Sequence, residues 1–211
     1  MTTFKQFILE SDGQLSNIIE DKCSYFLNES HRSGLLYRGL EWERAAANGT
    51  ASIGGTQIEY GIFNVRKDRQ SYSTREDIHY AYNGYFEKRF GWKARSESVF
   101  VTGDWGMSTL YGFESAMVFP IGKFKYVWSP KVKDIIKFGH HLLDTETDKL
   151  KSQDQVIELM DDLSYQSGDL QAAIRSGNEI MIGCDQFLAV RFNEHRRKLQ
   201  TGLVKTTLDI K

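Results

Sequence analysis

The chain has 211 residues and a formal net charge of -1, with 27 Lys and Arg against 28 Asp and Glu. That balance excludes a global basic field for nucleic acid, and with only two prolines and no Ser/Gly-rich tract to act as a linker one domain is expected over 1–211. No run approaches the ~20 apolar residues of a membrane helix, and "MTTFKQFILESDG" lacks the apolar core of a leader, so a soluble, cytoplasmic chain with no membrane partner is predicted.

Two N-terminal helices are expected within 1–33. "TTFKQFILES" and "QLSNIIEDKCSYFLNES" repeat apolar residues at helical spacing: Phe4, Phe7 and Ile8, then Leu15, Ile18, Ile19, Cys23, Phe26 and Leu27. Cys23 and Cys184 lack metal-ligand spacing and read as two buried thiols of a reducing compartment. The core, 34–192, opens with a strand, "GLLYRGL", that carries Arg38 near its end. "ERAAANGTASIGGTQ" reads as a helix fragment running into a Gly-rich loop, and "IEYGIFNV" as a second strand.

Between 66 and 95 the chain interleaves basic residues with aromatics. Ile78, Tyr82, Tyr85 and Phe86 share one face of an amphipathic helix from about Thr74 to Phe90. An ordinary amphipathic helix with a charged face explains the block without function; as an aromatic and basic surface it also suits stacked bases and phosphates. Arg66 and Arg69 lie outside the helix, and Arg95 stands directly before "SESVFVTGD", a strand and turn. "WGMSTLYGF" then reads as a helical turn, and "SAMVFPIG" and "KFKYVWSP" as strands. "VKDIIKFGHHLL", "QDQVIELMDDLS" and "DLQAAIRSG" read as helices, and the third delivers the chain to Glu179. "SGNEIMIGCDQFLAV" is a buried hairpin with that one acid at its entrance. Beyond "QFLAVRF" a basic tail occupies 193–211. Helices first and mostly strands afterwards give an α+β class.

Neither G-x-G-x-x-G after a strand nor G-x-x-x-x-G-K-[ST] occurs, so a nucleotide would not bind through a Rossmann or P-loop turn. Adjacent His140 and His141 point apart on a helix and cannot chelate one ion together, so no metal is expected. What remains is a trio of strand-associated polar residues, Arg38, Thr102 and Glu179, that a sheet could gather over one cleft. A guanidinium grips phosphate bidentately. A hydroxyl beside a carboxylate can orient it. A fixed carboxylate stabilises the positive charge that develops on a sugar ring when its anomeric bond breaks.

Arginine in "LYRG", a hydroxyl in a strand-turn "FVT", and glutamate in "NEIMIG" before a last apolar strand together resemble the mono-ADP-ribosyltransferases of the Arg-Ser-Glu type. "RSESVFVTGDWGMSTLYGFESAMVFPIGKFKYVWSP" looks like phage-encoded members of that superfamily. The resemblance spans 34–192 in element order, although only the three short motifs are specific. It implies two packed, mostly antiparallel sheets with NAD in the cleft between them. Arg38 would hold the phosphates and ribose of NAD, Thr102 would orient the glutamate, and Glu179 would stabilise the cation as nicotinamide leaves. Gly39 would let backbone approach nicotinamide, and Tyr111 or Phe113 would stack on it. The loop from Gln166 to Asn178 would face the acceptor, with Arg66, Arg69 and Arg95 available to it.

The sequence departs from the family at two places. "VTGD" lacks the usual second serine, and Gly177 stands where arginine-modifying members carry an acid, which argues against arginine as acceptor. The near-neutral charge favours a protein acceptor and the aromatic-basic block favours RNA or DNA. Such an activity also suits control by an antitoxin or inhibitor. Two rivals share the sequence: a non-catalytic interaction, inhibitor or virion protein that keeps the fold, and an NAD glycohydrolase that passes the ribose to water.

Overall fold

The structure is a computed structural model that describes residues 13–31, 34–41, 49–53, 56–70, 74–112 and 114–192. The expected first helix, the helix fragment at 43–47, Phe113 and the basic tail lie outside them. Among the described residues, helices α1 (Gly13–Lys22) and α2 (Ser24–Glu29) come first, followed by strands β1 (Leu36–Leu40), β2 (Gly49–Ile53) and β3 (Thr56–Asn64). Then come α3 (Glu76–Phe90), β4 (Val99–Thr102), the short α4 (Trp105–Ser108) with a 3-10 turn at Thr109–Tyr111, β5 (Glu114–Ile121) and β6 (Lys125–Trp128). A 3-10 helix at Ile135–Leu142, α5 (Gln153–Asp162), α6 (Leu170–Ser176), β7 (Glu179–Gly183) and β8 (Gln186–Phe192) complete the order.

The α+β class is therefore observed, in one form that differs from expectation. All eight strands belong to one antiparallel sheet, ordered β2-β3-β8-β5-β1-β4-β7-β6, and no second sheet is seen among the described residues. The weak joint in that sheet is between β1 and β4, which share only the pair Tyr37↔Thr102, while β1 and β5 pair over five residues. The stretch read as a Gly-rich loop is instead β2, paired with β3 from Gly49↔Tyr60 to Ile53↔Thr56. Alternating Thr50, Ala51, Ser52 and Ile53 fit a pleated edge, a signal the neighbouring glycines mask. "IIKFGHHL" forms a 3-10 rather than an α-helix, with Asp134 capping it through Ile136 N–H at 2.9 Å.

Side-chain alternation explains how two apolar clusters share the sheet. On β4 and β7, Val99, Val101, Ile180 and Ile182 join the cluster that also buries Leu15, Ile19 and Phe26 of the N-terminal helices. Phe100 and Met181 point to the other face, where Ile78, Tyr82, Tyr85 and Phe86 of α3 pack with Ile135 and Met160. The helical face predicted for α3 is the buried one. Both cysteines are buried and free, as expected.

Candidate functional site

The same alternation places Glu179. Phe100 pairs with Met181, and two residues along each strand Thr102 pairs with Glu179, so Glu179 continues an apolar row that faces the α3 cluster. A carboxylate stands where packing alone calls for a hydrocarbon. It is 3% exposed, and its Oε1 has no hydrogen-bond partner. Burial pushes its pKa up to about 7, an effect that Arg95 and Arg69 oppose and Asp134 reinforces. The segment after β6 roofs it: Glu179 N–H donates to Lys133 O at 3.1 Å, and Asn178 Nδ2 donates to Ser129 O at 2.9 Å.

Arg38 leaves β1 and donates through Nη1 to Phe100 O at 2.8 Å. Burial lowers its pKa to about 10, partly offset by Tyr111 and Glu179. Arg38, Thr102 and Glu179, from segments far apart in the chain, are thus drawn to one place on β1, β4 and β7. The role expected for Thr102 differs in detail. Its Oγ1 donates to Gly177 O at 2.7 Å and accepts from Asp104 N–H at 3.0 Å. The hydroxyl therefore ties the turn ahead of Glu179 to the turn behind β4 and does not itself bond the carboxylate.

The ring of Phe100 is the centre of the cluster. Arg69 lies over it at 4.6 Å and Arg95 at 5.5 Å, and Arg95 also lies 5.4 Å from the centroid of Tyr82. Tyr111 stacks on Phe100 at 6.4 Å and 18°. The strand-turn-helix around Asp104 delivers Tyr111: the Asp104 carboxylate caps α4 through Gly106 and Met107 N–H, and Ser108 Oγ meets Ser115 Oγ at 2.6 Å. A polar network on α3 holds Arg69. Ser96 Oγ donates to Arg69 O at 3.0 Å while Asn83 and His79 bond Ser96, and Arg69 N–H donates to Ser96 O. Burial lowers the Arg69 pKa to about 9, with the neighbouring charges of Arg38, Arg95 and Arg66 adding to it.

Several polar atoms here have no hydrogen-bond partner: Arg95 Nε and Nη1, and the hydroxyls of Tyr111 and Tyr165, in addition to Glu179 Oε1. Burial raises the pKa of both tyrosines, with the charge of Glu179 adding to the shift. Buried groups of this kind are normally satisfied; here both tyrosines and Arg95 instead share the electrostatic neighbourhood of Glu179. Two surface cavities, of about 250 and 710 Å3, lie elsewhere, and none of these residues lines them.

Three expectations need correction. Gly39 does not present open backbone to a ligand, because a Cβ there would strike the backbone of Gly112; the glycine serves that close crossing. Asn178 is buried and committed to Ser129, and 166–178 is largely α6 rather than a loop, while Gln166 is exposed and pairs its backbone with Trp128. The aromatics of α3 do not form a stacking platform: Tyr82, Tyr85 and Phe86 are core, and only Tyr80, 58% exposed, stands out from it. Arg66 is exposed at the rim, near enough to perturb Arg69. Sequence reasoning missed Phe100, Tyr165 and Asp134. Nothing local marks them, since their importance comes from what the sheet sets beside them.

No helix among the described residues is long and apolar enough to cross a membrane, and no group of three metal-ligating side chains gathers there. No family model, curated protein or solved structure matches the chain.

Proposed function

We propose that the protein is an NAD-dependent mono-ADP-ribosyltransferase that modifies a macromolecule and releases nicotinamide. The observation that carries this reading is the carboxylate of Glu179, with one oxygen unpartnered, buried directly opposite Thr102 and within electrostatic reach of Arg38. The three residues of the resemblance thus converge on a single polar cluster. The sheet's narrow β1–β4 joint also leans toward the two-sheet arrangement of that family, with the halves meeting where the cluster lies.

In this reading the guanidinium of Arg38 neutralises pyrophosphate, and ionised Glu179 faces the ribose as positive charge spreads over C1′ and its ring oxygen. Low local polarity makes that stabilisation strong, because little water competes with the carboxylate. Tyr111, stacked on Phe100, gives an aromatic face to the nicotinamide side. Thr102 acts as a positioning residue, fixing the turn from which β7 starts.

The test is nicotinamide release from NAD by the folded protein in host lysate. Glu179→Gln should lower the rate by two or more orders of magnitude, the scale of losing a dominant electrostatic contact. Equal NAD turnover by both proteins, or none by either, would remove the enzyme reading and leave a binding protein that keeps the same architecture.

A further inference from the structure

The cluster holds more positive charge than one NAD molecule requires. Arg38, Arg66, Arg69 and Arg95 gather there, and among the described residues none of the four forms an ion pair. The carboxylate of Glu179 is the negative charge that Arg38, Arg69 and Arg95 share. Arg95 is only 6% exposed, yet two of its three nitrogens donate to nothing. Pyrophosphate held by Arg38 leaves Arg69 and Arg95, on the ring of Phe100, with the carboxylate of Glu179 as their counter-charge.

The carboxylate and tyrosines of the cluster offer no proton acceptor. Glu179 is committed to the ribose cation. Gly177, two residues earlier, caps α6 with φ of 67°, and a Cβ there would press on Asp104 at 3.2 Å, so an acid at that position would be strained. The tyrosine hydroxyls are held protonated by burial. An amine, hydroxyl or guanidinium acceptor must lose a proton, and neither Glu179 nor the two tyrosines can take it; the neutral base nearby, His79, is bound through Nε2 to Ser96 and Asn83 with its Nδ1 unpartnered. A phosphate monoester, with a second pKa of about 6, arrives largely as a dianion and needs none.

We propose that Arg69 and Arg95 form the acceptor subsite and that the acceptor is the terminal phosphate monoester of a nucleic-acid strand. The inference rests on the ADP-ribosyl transfer reading above. In the step, a phosphate oxygen forms the bond to C1′, the C1′–N bond breaks, and its electron pair leaves with neutral nicotinamide. No proton is transferred. Arg66 at the rim, half-buried Arg69 and buried Arg95 make a path of positive charge from surface to site, which suits a diester chain behind the terminal group. A protein carboxylate is also deprotonated, but it brings a single charge and nothing to engage Arg66. With the α3 aromatics turned inward, recognition is of the end and tolerates any sequence.

The experiment offers NAD with one oligonucleotide in 5′-phosphorylated, 3′-phosphorylated and hydroxyl-ended forms, with a lysate protein fraction in parallel, and reads nicotinamide release and the mass gain of the strand. A phosphorylated form should gain one ADP-ribose and the hydroxyl-ended form none. Arg69→Gln should raise the KM for the phosphorylated strand by about tenfold or more, with a smaller fall in kcat, as loss of a charged contact predicts. Nicotinamide release with label only on protein, only in water, or equally on hydroxyl ends would overturn the acceptor assignment and leave the transferase or glycohydrolase chemistry standing. No nicotinamide release at all, from protein shown to be folded, would remove both.

Discussion

Glu179 destabilises the fold that contains it, and the sign of that effect is measurable. Its pKa is about 7 in the folded protein against an ordinary 4.5, first because it is buried, with Asp134 adding to the shift and Arg95 and Arg69 opposing it. The folded state therefore holds the proton more tightly than the unfolded chain. Its contribution is fully present at and below pH 4.5 and is lost as pH rises to about 7, by up to about 3 kcal/mol. Glu179→Gln should thus raise the Tm at about pH 8 and give no gain near pH 4. Thermal melts across that range check this without any substrate. Arg38, Tyr111 and Tyr165 also face the group, but none of them titrates in that window. Where the ionised form is needed, nicotinamide release should climb through the same pH range, so activity and stability move in opposite directions.

At the scale of elements, the site depends on how α6 meets β4. A Cβ on Gly103 would strike the carbonyl of Ile174, which is backbone and cannot swing aside. Gly103→Ala should push α6 away from β4 and loosen the Thr102 bond to Gly177 O, at a cost of roughly 1–3 kcal/mol. Denaturant unfolding reads that loss, and a Gly106→Ala control, whose Cβ meets only the Asp104 carboxylate at 3.3 Å, should fall by less. The legibility of the sequence divides at this scale. Glu179 could be found because a carboxylate opens an unbroken apolar run, and the buried face of α3 because its spacing is helical. The close crossings of Gly39 on Gly112 and Gly103 on Ile174 could not, because a glycine's neighbour across a fold leaves no mark on its own segment. For the same reason Thr102 was visible as a residue while its true partners, Gly177 and Asp104, were not. Tyr165 follows a helix with nothing around it to suggest that its hydroxyl lies within reach of the charge of Glu179.

For the whole molecule, the two apolar clusters are joined by strands that feed both. Val101 and Ile180 enter one while Phe100 and Met181 enter the other. Neither cluster should melt alone. Phe26→Ala and Phe86→Ala, each removing a fully buried ring, should cost about 3–5 kcal/mol and lower a single shared transition. Two separate transitions in either variant would show that the sheet does not couple its faces. Two packed sheets were expected, and the strands form one because Tyr37 pairs with Thr102 across β1 and β4, too short a contact for any sequence pattern to reveal.

Cys23, on the N-terminal side of the sheet, and Cys184, in the turn between β7 and β8, are both buried, and burial pushes each thiol up to about 12. Neither is a nucleophile while the fold is closed. A thiol reagent at neutral pH therefore meets them only in molecules that have opened, and the rate of alkylation becomes a clock for opening itself. Cys23 reports release of the helices and Cys184 release of the hairpin that carries Glu179, so equal rates mean one global event and a faster Cys184 means that hairpin breathes by itself.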